Sequence, residues 1–266
     1  MTNNQGINMV LYRQSRIGTE FKDRYLNVPV NLLQGYFENH LSVLQKIVNF
    51  CVYQLAKERL SQGTLTERIE VAGEFLVLDP QNAKSIMYHG RNLYRDWLVN
   101  DYPRGGIKVK VLYDYANNQK SEFDKVIFCA LIGLKSIIQK DHYKKTTFDT
   151  LFVRMAGYST SKLAEGKIPD VIQKYRSRHY RAKIIKNLED HWHFAYEADH
   201  TRGFYFSFRM SHEELCHTIQ KKKLTTKSIM REKTETKNET RKRVREFYEN
   251  REKSDPSMSD ETLGYT

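Results

Sequence analysis

The most constraining feature of this sequence is an apolar run, Val126–Leu134, bounded by Lys125 and Lys135. The run is about half as long as a helix that crosses a bilayer, so it predicts a buried helix rather than a membrane span. Ser121, with Asp124 three residues later, forms a near capping box and predicts that the helix begins there. The chain is therefore expected to build a helical core around this segment.

The residues before this helix predict a first domain over 9–116. Residues 9–30 are typical of extended segments, and helical periodicity follows over 32–60, 65–76 and 81–99. Asp79, followed by Pro80, is expected to cap the third of these helices. Ile107, Val109 and Val111 alternate with lysines, which predicts a half-buried strand. The polar stretch 117–119 then marks the boundary to the next domain.

The second domain is predicted over 121–218, and a charged tail over 221–266. A basic loop at 140–145 follows the first helix, and Thr147 is expected to cap a short helix that stops near Gly157. A polar loop covers 158–168, and Pro169 is expected to open a longer helix that reaches Trp192. Two strands then flank a turn at 199–203. The charged tail is expected to form one exposed helix over 221–253 with a disordered end. Taken together, the predicted helices and strands indicate an α+β fold that is mostly helical.

The order helix, short helix, basic helix, β-hairpin resembles the winged helix-turn-helix of DNA-binding proteins. Leu151, Met155, Ala156 and Gly157 fall where those proteins place an apolar pair, a small residue and the glycine of a tight turn. In the basic helix, Tyr180, Ile184, Leu188 and Trp192 recur every four residues and predict a core-facing stripe.

Charge supports the same interpretation of this domain. The chain has a formal net charge of +12, and residues 140–193 hold 12 Lys and Arg against six Asp and Glu. A focused basic surplus is typical of proteins that bind nucleic-acid phosphates. The resemblance implies that the basic helix enters the major groove and that the hairpin tip meets the backbone. It thereby implies the candidate DNA-binding residues Lys174, Arg176, Arg178, His179, Lys183 and Lys186, with His200 and Arg202 at the wing tip.

The sequence of the first domain likewise predicts helices followed by a strand. Its Ala72-Gly73 pair lies at a point in this order comparable to that of Ala156-Gly157 in the second domain. Two such domains in tandem resemble the replication initiators of plasmids and phages. In those proteins one domain contacts DNA and the other dimerises or binds a second half-site. The resemblance implies sequence-specific binding of double-stranded DNA, initiation of replication of a mobile element, and a homodimer as one form of the protein.

Three other functions stay open at the level of sequence. The protein could regulate transcription, or its basic tail could bind RNA or an acidic protein as a scaffold. The string His191-Trp192-His193 matches the His-hydrophobic-His motif of metal-dependent DNA nickases, in which two histidines bind a divalent metal and a tyrosine attacks the phosphate. So short a match in a chain with nine histidines is weak evidence for catalysis.

The sequence carries no other enzyme signature. It contains no GxxxxGK[ST], GxSxG or HExxH string, and its three cysteines, Cys51, Cys129 and Cys216, lie far apart. We therefore expect no catalytic residue, metal site or small-molecule cofactor. Cys51 and Cys129 lie in apolar stretches and are expected to be buried free thiols. Residues 1–10 lack the layout of a secretion signal, so a cytoplasmic protein without membrane contact is expected.

Overall fold

The computed structural model describes residues 25–75, 80–199 and 203–254, and the fold is α+β and mostly helical, as the sequence predicts. The helices are α1 His40–Arg59, α2 Leu65–Phe75, α3 Pro80–Asn100, α4 Val109–Asn117, α5 Glu122–Ile138, α6 Phe148–Met155, α7 Ser161–Ala164, α8 Asp170–Lys174, α9 Arg178–His191 and α10 His212–Ser254. The strands are β1 Tyr25–Pro29, β2 Arg104–Lys108, β3 Lys144–Thr146, β4 Ala195–Ala198 and β5 Phe204–Ser207.

Helices α1, α2 and α3 pack on one another, and β1 pairs antiparallel with β2. The helix predicted from Leu32 begins only at α1, because Gly35 turns the chain with φ of 75° after a 3-10 helix, Val30–Leu33. Asn39 caps α1 through its side-chain oxygen, which accepts a hydrogen bond from the Ser42 backbone N–H at 3.1 Å. The predicted segments 9–24 and the cap at Asp79 lie outside the described residues.

The strand predicted from Ile107, Val109 and Val111 is wrong in its second half. Strand β2 ends at Lys108, and the chain continues as α4 from Val109. A strand and a helix each bury one side of the chain. A run of only three alternating apolar residues is therefore compatible with either element. Gly105 fixes β2 in place, because a Cβ there would lie 2.2 Å from the carbonyl oxygen of Ile132 in α5.

Helix α5 is the centre of the following part of the chain, as the apolar run predicts. The capping box is confirmed, since Ser121 and Asp124 each accept a hydrogen bond from the other's backbone N–H. Thr147 caps α6 in the same manner by accepting from the Thr150 N–H at 3.1 Å. Gly157 follows α6 with φ of 87°, which confirms the predicted tight turn.

Strands β4 and β5 form the predicted hairpin, and β3 pairs with β5 to give a three-stranded sheet in the order β3-β5-β4. β3 lies at the end of the segment predicted as a basic loop. Phe204 and Phe206 are fully buried, whereas Tyr205 between them is half-buried, because successive residues of a strand face opposite sides of the sheet. Gly203 is required at the start of β5, because a Cβ would lie 2.1 Å from the Thr146 carbonyl oxygen.

The single helix predicted from Pro169 to Trp192 is wrong, because the structure has two helices, α8 and α9, with a break at residues 175–177. Tyr175 in this break is buried and stacks on Phe123, with ring centroids 6.0 Å apart, and its ring contacts that of Tyr180 in a tilted arrangement at 4.9 Å. The tyrosine is thus held in the core by α5, between the end of α8 and the start of α9. The predicted polar loop at 158–168 contains the short helix α7.

Described residues up to Leu215 belong to one compact unit, and those from Cys216 belong to a second. Within the first unit, the two predicted domains approach each other closely, since a Cβ on Gly157 would lie 2.8 Å from the backbone nitrogen of Gln34. The predicted division into two domains, one ending at 116 and the next beginning at 121, stays a prediction. The predicted tail helix is confirmed as part of α10, with every side chain from residue 220 to 250 exposed. The Ala72-Gly73 pair lies inside helix α2 and does not mark a turn, whereas Gly157 of the Ala156-Gly157 pair does.

Candidate nucleic-acid interface

Helix α9 has one buried and one exposed face. Ile184, Ile185 and Leu188 are buried, and α9 packs on α5. Tyr180 and Trp192, the other members of the predicted stripe, are half-buried. Because side chains three and four residues apart share a helix face, the opposite face is formed by exposed residues at steps of three and four. These are His179, Lys183, Lys186 and Asp190.

Three cations of α9 are exposed and have no ion-pair partner among the described residues: Arg178, Lys183 and Lys186. Lys183 has its Nζ 5.5 Å from the Tyr180 ring centroid, which positions the lysine along the helix. Glu189 and Asp190 follow in the last turn, so the basic surface covers the first part of α9. In helix-turn-helix proteins the N-terminal residues of the recognition helix are the ones that contact base edges.

Lys174 and Arg176 are also among the DNA-binding residues predicted from the sequence, but both form ion pairs in the structure. Lys174 Nζ lies 3.1 Å from a carboxylate oxygen of Glu122, and this hydrogen bond raises the pKa of the lysine above its ordinary value. Arg176 donates to Asp149 at 2.7 Å and to Gln173 at 3.1 Å. A phosphate would have to compete with these carboxylates, which makes the two residues weaker candidates than the three cations on α9.

Arg181 lies on the core side of α9. Its guanidinium lies 4.8 Å from the Phe148 ring centroid and 5.8 Å from that of Phe152. The residue is half-buried and its Nε is enclosed without an acceptor among the described residues. Arg181 therefore supports the packing of α9 on α6 rather than the exposed face.

The hairpin beside α9 is anchored at its turn. Lys145 of β3 forms an ion pair with Asp199, which directly follows β4, and the Asp199 backbone N–H donates to the Gly203 carbonyl at 3.1 Å. The hydrogen bond to Asp199 raises the pKa of Lys145. The predicted wing-tip residues His200 and Arg202 lie outside the described residues.

The His191-Trp192-His193 string does not lie on a strand. His191 is the last residue of α9, Trp192 follows as its C-cap, and His193 has a positive φ of 48°. The alternation that would turn two histidines of a strand to one side is therefore absent at these three residues.

Comparison of the chain with protein-family models, with curated proteins and with solved structures finds no match. Over the ranges that the structure describes, no helix is long and apolar enough to cross a membrane.

Proposed function

We propose that the segment from Ser121 to Ser207 is a winged helix that binds double-stranded DNA, with α9 in the major groove. The support is the order of its elements: α5, β3, α6, the short helices α7 and α8, α9 and then the β4–β5 hairpin, with β3 completing a three-stranded sheet. An α-helix with its side chains is about 10–12 Å wide and the major groove about 12 Å, so one exposed helix fits.

The observation that carries the proposal is a set of three exposed cations on α9 that form no ion pair with any described residue: Lys183 and Lys186 on its exposed face, and Arg178 at the edge of that face. Arg178, Lys183 and Lys186 lie on a helix whose other side is fixed by Ile184 and Leu188. Cations held by a core keep their spacing, and fixed spacing is what allows a helix to select a base sequence. Arg178 and the lysines also match the chemistry of guanine, whose O6 and N7 are both acceptors.

The test is a set of fluorescence-anisotropy titrations of the full chain on a duplex selected from a random library and on a scrambled duplex. Lys183→Ala is expected to cost about 1–3 kcal/mol on the selected duplex if the lysine contacts a base edge. Lys174→Ala is expected to cost less, since Glu122 already pairs with this lysine. Lys46→Ala, an exposed lysine of α1, is the matched control and should change nothing.

Salt dependence gives an independent measurement on the same variants. Each phosphate contact contributes roughly −0.9 to the slope of log affinity against log salt concentration. We expect Lys186→Ala to make the slope shallower by about this amount if the lysine contacts a phosphate. A slope near zero for the unchanged protein, or equal losses for Lys183→Ala and Lys46→Ala, would remove DNA binding by α9 as the function.

We further propose initiation of replication as the process, ahead of transcriptional regulation. What supports it is a partial likeness between the two halves of the chain, since α1, α2 and α3 also run as helices followed by a strand, β2. A genome-wide footprint of the bound protein separates the two processes. A single cluster of repeated sites on a mobile element is expected, and a set of dispersed promoters would instead favour a transcriptional regulator.

A further inference from the structure

A cavity of about 330 Å³ lies between α1, α2 and α3, far along the chain from the residues proposed to bind DNA. Its volume is at the lower end of the range for small-molecule sites. The three helices that form it pack on one another, so the walls are parts of one folded layer.

Four cations line this cavity: Lys57 of α1, Arg68 of α2, and Arg91 and Arg95 of α3. No Asp or Glu is among the described residues that line it. Arg91 and Arg95 are one helical turn apart, which places them side by side on α3. Like charges at this spacing repel each other, and an anion between them would remove the repulsion.

The arginine on α2 is held in place by the protein itself. Arg68 donates to the backbone carbonyls of Leu60 and Ser61, each at 3.0 Å, and to the Tyr53 hydroxyl at 3.4 Å. A guanidinium has five N–H donors, so this network leaves donors for a further acceptor. The backbone carbonyls fix the direction of the guanidinium without neutralising its charge.

Within the described part of the chain, no carboxylate forms an ion pair with Lys57, Arg91 or Arg95. Lys57 lies with its Nζ 4.3 Å from the Tyr94 ring centroid. Glu67 is the acid that acts on Arg68. It accepts hydrogen bonds from the Thr64 N–H at 2.6 Å and hydroxyl at 2.9 Å, which lower the pKa of its carboxyl group. Glu67 thus acts on one of the four cations and does not itself line the cavity.

Apolar side chains also line the cavity. They include Leu65, Tyr94 and Leu98, and Leu98 is 53% exposed. The Tyr94 ring is fixed against Phe50, with centroids 5.9 Å apart, so its position is set by the core. Apolar side chains together with a group of cations suit a ligand with one apolar end and one strongly anionic end.

We propose that this cavity binds a nucleoside polyphosphate. Its phosphates would lie between Arg68, Arg91 and Arg95, since guanidinium groups bind phosphate oxygens in pairs of hydrogen bonds. Its base would lie against Tyr94 and Leu98. The proposal concerns binding alone and is independent of DNA binding by α9.

The test is isothermal titration calorimetry of the full chain with ATP, pyrophosphate and adenosine at low salt without divalent metal. ATP is expected to bind at one site, pyrophosphate more weakly, and adenosine without detectable heat. Arg95→Gln and Arg91→Gln are each expected to weaken ATP binding at least tenfold. Lys84→Gln, which removes an exposed cation of the same helix outside the cavity, is the matched control and should leave the affinity unchanged.

A second pair of variants separates this site from the DNA-binding surface. The double variant Lys183→Gln/Lys186→Gln should lose duplex binding and keep ATP binding, whereas Arg91→Gln/Arg95→Gln should do the reverse. Circular dichroism of each variant confirms that it is folded. ATP binding that is absent, that survives Arg91→Gln/Arg95→Gln, or that disappears with the α9 variant would overturn the proposal. Loss of duplex binding with intact ATP affinity in Arg91→Gln/Arg95→Gln would show that the cations serve a nucleic-acid backbone instead.

Discussion

Gly157→Ala is the substitution that most directly tests how the turn after α6 packs. Gly157 has φ of 87°, a conformation that costs an L-residue about 1–2 kcal/mol. A Cβ there would also lie 2.8 Å from the Gln34 backbone nitrogen and 3.0 Å from the Val30 carbonyl oxygen. These are backbone atoms, so the crowding can be relieved only by moving the 3-10 helix or the turn.

The expected loss of stability follows from adding these two effects. Strain, reduced by the entropy that alanine removes from the unfolded chain, leaves about 1 kcal/mol. Crowding of a packed contact adds about 1–3 kcal/mol. We expect a total near 3 kcal/mol, which for a unit of this size lowers the melting temperature by about 6–12 °C. Urea unfolding followed by circular dichroism measures the free energy, and a thermal melt measures the shift.

Gly166→Ala is the matched control, because Gly166 has a similar φ of 68° but nothing within 4 Å of an added Cβ. It should show the backbone cost alone, about 1 kcal/mol or 2–4 °C. The difference between the two variants therefore measures the contact between the turn and the 3-10 helix. Equal losses in the two variants would refute the close approach of Gly157 to Gln34 and Val30.

Three further measurements test local features of the fold. Ser121→Ala removes the N-cap of α5 and should cost about 1 kcal/mol in urea unfolding, and no loss would contradict the capping box. Burial, with a smaller contribution from the charge of Lys125, lowers the pKa of His40 in the folded protein. The unfolded chain therefore binds more protons than the folded protein, and the free energy of unfolding should decrease as the pH drops below about 6.5. An NMR titration should place this pKa below about 6.5, and Lys125→Met should raise it part of the way; a value above the ordinary one would contradict this. Peptide mapping after treatment with a thiol reagent should find Cys51 and Cys129 labelled only in urea, and labelling of the folded protein would show that they are not buried.

The parts of the fold that could be predicted are those with a local signal. The apolar run with its capping box places α5 within one residue of its observed start, and Thr147 does the same for α6. The hairpin follows from the alternation of Phe204, Tyr205 and Phe206 around a turn with glycine. In each case the residues that determine the structure lie within a few positions of one another.

The parts that could not be predicted depend on contacts between distant segments. Helix α8 ends because Tyr175 is buried against Phe123, which lies 52 residues earlier in the chain. Strand β3 exists only because β5 pairs with it, from Lys144 opposite Phe206 to Thr146 opposite Phe204. No periodicity within either segment indicates these contacts.

The same distinction applies to the two candidate sites. Lys174 and Arg176 have the same charge as Lys183 and Lys186, and only the structure shows that Glu122 and Asp149 pair with the first two. The cavity between α1, α2 and α3 was not predicted at all. Its signal in the sequence is the spacing of Arg91 and Arg95, one turn apart on a predicted helix without acidic residues between them, but Lys57 and Arg68 join them only through packing.

If α9 binds DNA as proposed, the affinity of this helix alone is limited by the three exposed cations that have no ion-pair partner among the described residues. Three phosphate contacts would give a salt slope of roughly −2.7, whereas proteins with six to ten contacts lose about 10³–10⁵ in affinity between 50 and 200 mM salt. Specific binding at physiological salt would therefore need further cations. The exposed lysines and arginines of residues 221–250 can supply attraction without a fixed geometry, and a second copy of the chain would double the fixed set. Deleting residues 221–266 distinguishes the two sources. If the tail supplies the attraction, the deletion should lower the affinity for selected and scrambled duplexes equally and make the salt slope shallower. If a second copy of the chain supplies it, the salt slope and the preference for the selected duplex should both remain.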